Sequence, residues 1–262
     1  MSDAKIKHLY FHIPFCPKLC PYCSFYVETG GKNKTRAFLD ALLREAGFTN
    51  LNIDLMFAVP GQTPQQWGAT LERTIALQPE HVSSYCLTYE EDTEYFRKLL
   101  GGEYRQDVEL DATLFETTMD TLTAGGFAQY EISNYARSGR ESRHNQAYWR
   151  GADYLGFGPS AFSTVGLRRW QNIPDTAEYT RRILAGESAE SFREELTPAT
   201  RRGEIMAFAI RMREGLAAVE MEPWEKELRE FRELGFIENR DDRIVLTRRG
   251  KMMADSVAEA FV

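Results

Sequence analysis

The 262-residue sequence predicts an α/β protein: an incomplete (β/α) barrel followed by a C-terminal winged-helix-like unit. Three observations carry that prediction. In roughly the first third of the chain, apolar runs alternate with segments of helical periodicity, the order that gives parallel strands joined by right-handed crossovers. The last stretch reads helix, helix, hairpin, helix. From the start of the first apolar run to the end of the third there are about 85 residues, room for three strands and their crossovers.

The elements follow in order. "IKHLYFHIP" reads as a buried strand ending at Pro14, with the cysteines of "FCPKLCPYC" on the loop after it. "ETGGKNK" is a loop by composition, and "TRAFLDALLREAGF" has apolar residues at helical spacing up to Gly47. "LNIDLMFAVPG" is a second buried strand stopped by Pro-Gly. In "TPQQWGATLERTIALQPE", Thr63 is the N-cap and Pro64 the first helical residue. "HVSSYCLTY" is the third strand. "DVELDATLFETTMDTLTAGGF" is an amphipathic helix closed by Gly125 and Gly126. The aromatic, glycine-containing stretch from "AQYEISNYARS" to "GFGPSAFSTV" reads as loop. Thr197-Pro198 opens another helix, "EPWEKELREFRELGF" is the next, "FIENRDDRIVLT" is a hairpin, and "RRGKMMADSVAEAF" is a last helix. The organisation expected is residues 1–105 as a truncated barrel with the cysteine loop, 106–195 as a middle region, and 196–262 as the winged-helix-like unit.

Composition excludes several classes of function. A hydrophobic content of 43% with 27% charged residues is that of a globular chain. The net charge of −7 does not suit a nucleic-acid or anionic-membrane binder. From Leu196 to Val262 the chain carries 12 Lys and Arg against 13 Asp and Glu, so the winged-helix-like unit lacks the basic footprint of a DNA reader. No apolar run reaches the roughly 18 residues of a membrane span, and no signal-peptide pattern opens the chain. A cytoplasmic location is expected, where clustered cysteines are metal ligands or catalytic thiols rather than disulfides.

Cys16, Cys20 and Cys23 fall within eight residues, and Cys86 is the one other cysteine. A structural zinc site wants four ligands in two pairs, which would require His8 or His12 as the fourth. A Cys20/Cys23 redox pair leaves Cys16 without a role. An iron-sulfur cluster fits best: thiolates are its usual ligands, and three of them on a 4Fe-4S cluster leave one iron open for chemistry. Cys86, in an apolar strand, reads as a core thiol.

"CPKLCPYC" is C-x3-C-x2-C and resembles the signature of the radical S-adenosylmethionine (SAM) enzymes. The frame "YFHIPFCPKLCPYCSFY" is similar to the branch that contains oxygen-independent coproporphyrinogen III oxidase and the heme chaperone HemW, and "NIDLMFAVPGQT", "HNQAYW" and "GADYLGFGPSAFS" agree with it. Phe25, where the oxidase is expected to carry a further cysteine, favours the HemW side. The resemblance implies a 4Fe-4S cluster on Cys16, Cys20 and Cys23, SAM lined by Tyr10 and Tyr22 and reached by Asp54 at the end of its strand, and heme at "HNQAYW". For that motif the residues allow two readings: His144 as a ligand to heme iron with Tyr148 and Trp149 as flat faces for the ring, or a loop histidine beside two core aromatics. The resemblance favours the first. Asp54 likewise reads as a SAM contact or as the cap of a neighbouring turn. Gly156 and Gly158 read as a close approach of backbone to ligand or as a tight turn. Partners implied are heme or porphyrin, an electron donor, a heme acceptor, and no nucleic acid.

One departure is large. A β-loop-α-β unit takes roughly 30 residues, so the six-unit partial barrel that the resemblance implies needs roughly 180, whereas about 85 run from the start of the first strand to the end of "HVSSYCLTY". The glycine-rich "GGGTP"-type segment expected on the second strand is missing, and the chain jumps from its first helix to the fifth strand of the pattern. Either an internal piece has been lost, impairing SAM cleavage, or a partner chain or a homodimer completes the sheet. An uncovered strand edge favours association in both cases. Beside the enzyme stands a different class, a non-catalytic heme or iron-sulfur binding module.

Overall fold

The computed structural model describes residues 50–91 and 93–262, together with the backbone of Phe15–Cys16 and Glu28–Thr29. Those two dipeptides, β1 and β2, pair in parallel, with Phe15 opposite Glu28 and Cys16 opposite Thr29. The first cysteine of the cluster motif therefore lies in a short strand and not on a loop that begins at Pro14. The expected strand before it and the helix "TRAFLDALLREAGF" lie outside the described residues.

The next elements follow their sequence signals closely. Strand β3 (Asn52–Phe57) leads through helix α1 (Pro64–Ala76) to strand β4 (His81–Cys86), which lies parallel to it. Thr63 caps α1 in a reciprocal capping box with Gln66, and Pro64 sits in the first turn where its missing N–H costs nothing. Helix α2 (Glu94–Leu100), capped by Thr93, was not legible in the periodicity. Helix α3 (Val108–Ala124) is capped by Asp107 and ends at Gly125. Strands β5 (Ala128–Gln129) and β6 (Asn134–Ala136) then turn back antiparallel, completing a four-stranded sheet in the order β3-β4-β6-β5.

The two faces of this sheet differ. Leu55, Phe57, Val82 and Tyr135 point at α1 and α3, where they join Trp67, Leu71, Leu114, Phe115 and Leu122 in the core, and Ile53 shares their face of the sheet. Within that core Trp67 Nε1 donates to Thr118 Oγ1 at 2.9 Å, tying α1 to α3. Asn52, Asp54 and Met56 of β3 stand on the other face, in register with His81, Ser83 and Tyr85 of β4, and Asn134 of β6 continues the row. Strand residues alternate between faces, so one side of the sheet is apolar and covered while the other is a polar floor.

The stretch expected to be loop is largely regular. Helix α4 (Arg143–Trp149) carries the "HNQAYW" motif behind the N-cap Ser142. Strands β7 (Phe162–Val165), β8 (Arg168–Asn172) and β9 (Glu190–Glu195) form an antiparallel sheet, with helix α5 (Thr176–Leu184) between the last two. Helix α6 (Pro198–Ala209) opens at Thr197 as expected. Strand β10 (Leu216–Ala217), a 3-10 turn (Ala218–Trp224) and helix α7 (Glu225–Glu233) precede the hairpin β11 (Ile237–Arg240) and β12 (Arg243–Leu246). The last helical segment breaks at Met253 into α8 (Arg248–Met252) and α9 (Ala254–Glu259). Gly250 is required here by space: a Cβ on it would lie 1.7 Å from the Phe236 carbonyl oxygen.

Candidate functional site

The polar floor is organised around His81. This residue is only 6% exposed, and both of its ring nitrogens are engaged. Nδ1 lies 2.6 Å from Asn52 Oδ1, and Nε2 lies 2.8 Å from the Tyr130 hydroxyl. The Asn52 amide is oriented by its other end, since its Nδ2 donates to Asp54 Oδ1 at 2.7 Å. Ser83 Oγ also donates to Asn52 Oδ1, at 3.3 Å. Burial lowers the His81 pKa below its ordinary value, against the opposing pull of Asp54 and Glu141. The same desolvation pushes the Tyr130 and Tyr85 hydroxyls up and keeps them protonated.

Tyr130 joins this floor to α4. The Ser142 N–H donates to its hydroxyl oxygen at 3.4 Å, and the Asn145 side chain of the "HNQAYW" motif lies close enough to oppose the rise of its pKa. Next to it, Glu131 is 3% exposed, and burial raises its pKa. Its carboxylate accepts from the Ser133 N–H at 3.1 Å and from the Asn134 amide.

Of the residues singled out from the sequence, Asp54 stands exposed in the middle of β3 rather than at the strand end, on the polar face beside Asn52. His144 is exposed in the first turn of α4, and no side-chain partner for it is seen among the described residues. Tyr148, one helical turn on, and Trp149 turn toward α6: both pack against Phe208, at ring-centroid distances of 5.5 and 5.9 Å, and Arg211 stacks on Trp149 at 5.0 Å. Tyr148 and Trp149 line a pocket of 760 Å³ together with Tyr154, Phe162 and Phe208. That size falls in the roughly 300–1,000 Å³ range of small-molecule sites. Its polar wall is the bidentate ion pair of Arg169 with Glu204, at 2.8 and 2.6 Å. His144 does not line it.

Gly156 and Gly158 are explained by their own turn. A Cβ on Gly156 would meet the Phe162 carbonyl oxygen at 2.1 Å, and Gly158 has φ +105°. Cys86 corrects the expectation of a core thiol, because the residue is exposed at the end of β4. Its Sγ, 3.9 Å from the Leu87 carbonyl, is still desolvated, which pushes the thiol up to about 11. Tyr10, Cys20, Tyr22 and Cys23 lie outside the described residues, and Cys16 is described by its backbone alone. Among the described residues no group of three or more His, Cys, Asp or Glu side chains is placed to hold a metal, and no helix is long and apolar enough to cross a membrane. Sequence reasoning missed His81, Asn52, Tyr130 and Asn145. The polar residues at every second position of "NID" and "HVSSY" were the available signal.

Comparison with known proteins places the chain. It is 34% identical over 220 residues to the heme chaperone HemW of Mycobacterium tuberculosis, covering 82% of this chain and 56% of the relative. It is 31% identical over 231 residues to HemW of Bacillus subtilis, covering 84% and 60%. A mitochondrial radical S-adenosyl methionine domain-containing protein 1 from Danio rerio is 39% identical over 112 residues, 42% of this chain and 25% of that one. The chain thus spans a little over half the length of the HemW relatives it matches. No family model matches it. Among solved structures, coproporphyrinogen III oxidase HemN from Escherichia coli, a radical SAM enzyme, superposes with a TM-score of 0.66 over 88% of this chain and 59% of its own, at 20% identity. At that identity the match establishes a shared α/β fold.

Proposed function

Because the chain belongs to the family of the heme chaperone HemW, we propose that it binds heme against α4 and carries a 4Fe-4S cluster and SAM on the barrel side of the molecule. The observation that supports the heme reading best is the arrangement around α4. His144 presents an imidazole to solvent with no protein partner seen among the described residues, and Tyr148 and Trp149 beside it form the aromatic wall of a pocket of small-molecule size. An accessible imidazole is a proper axial ligand for heme iron, and the aromatic faces suit a porphyrin.

Cys16, Cys20 and Cys23 would hold the cluster, with Tyr10 and Tyr22 on the SAM side. Asp54 fits a role toward SAM: its carboxylate is fixed by Asn52 on an exposed polar floor, ready to accept hydrogen bonds from ligand hydroxyls. When bound, cluster and SAM together supply radical chemistry. The finer architecture that goes with this reading is a partial (β/α) barrel, represented by β3-α1-β4, followed by a winged-helix-like unit from residue 196.

A second reading, a heme or iron-sulfur binding module without turnover, is favoured by one observation: among the described residues β3 pairs only with β4, so its other edge has no neighbouring strand. Delivery of heme needs a binding site and an acceptor and does not need that edge closed. The reading is tested by titrating hemin into the full chain and into His144→Ala, following the heme absorption band. The wild-type chain is expected to bind stoichiometrically and His144→Ala at least tenfold more weakly. Equal binding by both would remove His144 and, with it, the heme site proposed here.

A further inference from the structure

The hydrogen bonds across the polar floor run in one direction, and each link fixes the next. A carboxylate accepts, so the Asn52 Nδ2 end faces Asp54 and Oδ1 faces His81. An amide oxygen accepts, so His81 Nδ1 carries the proton. In a neutral ring Nε2 is then the acceptor, and the Tyr130 O–H donates to it. The Tyr130 oxygen in turn accepts from the N–H of Ser142, the N-cap of α4, and the Asn145 side chain in the first turn of that helix lies beside it. In a neutral ring this is the one direction that satisfies every link. A doubly protonated His81 would turn Nε2–H against a hydroxyl whose own proton has lost its acceptor.

We propose that His81 is a positioning residue that transmits the placement of α4 to the Asp54 carboxylate, through Tyr130 on one side and Asn52 on the other. The identity of the ligands at the two ends rests on the reading above; the connection itself does not. The path joins the start of α4, the helix of "HNQAYW", to Asp54 of "NIDLMF", two motifs far apart in sequence. It uses the side chains of Tyr130, His81, Asn52 and Asp54, of which His81 and Tyr130 are buried and cannot exchange partners with water. An occupant that shifts α4 would change the donor set on Tyr130, then the acceptor demand on His81, and finally the orientation of the Asn52 amide that holds Asp54. By linkage, an occupant of Asp54 would be felt at α4 to the same degree.

The test is nuclear magnetic resonance on the full chain with 15N-labelled histidine and asparagine. His81 signals are assigned with His81→Gln. His81 is expected in the Nδ1–H form at neutral pH, with Nε2 unprotonated. Asn145→Ala is expected to move the Asn52 side-chain amide signals, and the movement is expected to disappear when Tyr130→Phe is added. Zinc protoporphyrin, a diamagnetic heme surrogate, is expected to move the same signals in the wild-type chain. An Nε2–H form or an imidazolium overturns the proposal, as does an Asn52 amide indifferent to Asn145→Ala or moved equally without the Tyr130 hydroxyl. Should Tyr130→Phe fail to fold, the tautomer and the Asn145→Ala response decide the matter alone. Porphyrin that binds without moving Asn52 also overturns it. Porphyrin that does not bind at all overturns the heme reading and leaves the relay to the ligand-free arm.

Discussion

The Nε2 of His81 lies 2.8 Å from the hydroxyl of Tyr130, two buried side chains 49 residues apart that meet on the polar side of an otherwise apolar sheet. This pair closes the floor at the end nearest α4. It also adds an acid-sensitive contribution to stability, because burial disfavours the imidazolium.

The direction of that pH effect follows from linkage. His81 has a folded pKa below its ordinary value of 6.5, since burial opposes the charge more than Asp54 from β3 and Glu141 from the segment before α4 favour it. The unfolded chain therefore binds the proton more readily. The associated stability is fully present above pH 6.5 and is lost as pH falls toward the folded pKa. Urea midpoints measured from pH 7.5 to pH 5 should fall more steeply for the wild type than for His81→Gln. Parallel curves would show that His81 is not the group responsible.

Trp67 and Thr118 give a second prediction. The indole N–H is fully buried, and its bond to Thr118 Oγ1 is the partner that satisfies it. Thr118→Val keeps the volume and removes the acceptor, which should cost about 1–3 kcal/mol in urea unfolding. A change below about 0.5 kcal/mol would mean that the indole finds another acceptor.

A third concerns Lys251. It is largely buried, its Nζ donates to Gln129 Oε1 at 2.8 Å, and burial together with Arg240, Arg248 and Arg213 lowers its pKa. Among the described residues no acid forms an ion pair with it. Lys251→Met should leave the protein as stable or more stable at neutral pH, and thermal melts of the two chains decide it. A drop in Tm would show that the Gln129 bond outweighs the buried charge.

Gly250 gives the fourth. An added methyl collides with the Phe236 carbonyl, so Gly250→Ala must push α8 away from the hairpin. Overpacking of this kind costs about 1–3 kcal/mol or more. The loss should appear as a lower urea midpoint for the whole chain, because the hairpin and the last helices share one buried core with α1 and α3; an unchanged midpoint would show that α8 yields without cost.

How much of this was legible in the sequence can be read from particular residues. Thr63-Pro64 and Thr197-Pro198 announced two helix starts, because capping chemistry is local and complete within four residues. "NIDLMF" and "HVSSYC" announced strands, and their pairing in parallel followed from the helix between them. The middle region read as loop because its strands are short and its pairing distant: β8 finds β9 only after α5 has intervened. His81 gave no signal as a site residue, since its partners arrive from Asn52 and Tyr130, 29 and 49 positions away. Cys86 misled for a related reason. The apolar run around it suggested burial, but the strand's last residue is exposed on the structure. In "HNQAYW" the histidine and the aromatics drew attention, while the contact with the floor comes from the N–H of Ser142, the N-cap of that helix.

The central claim is that this chain keeps the cluster and SAM chemistry of its family beside a heme site, although it spans little more than half of its HemW relatives' length. Electron paramagnetic resonance on protein reconstituted anaerobically with iron and sulfide, then reduced, tests it most directly. The account predicts a 4Fe-4S signal that is lost in Cys20→Ala and changes on adding SAM, with the change weakened in Asp54→Ala. A cluster signal indifferent to SAM, or no cluster at all, would contradict it.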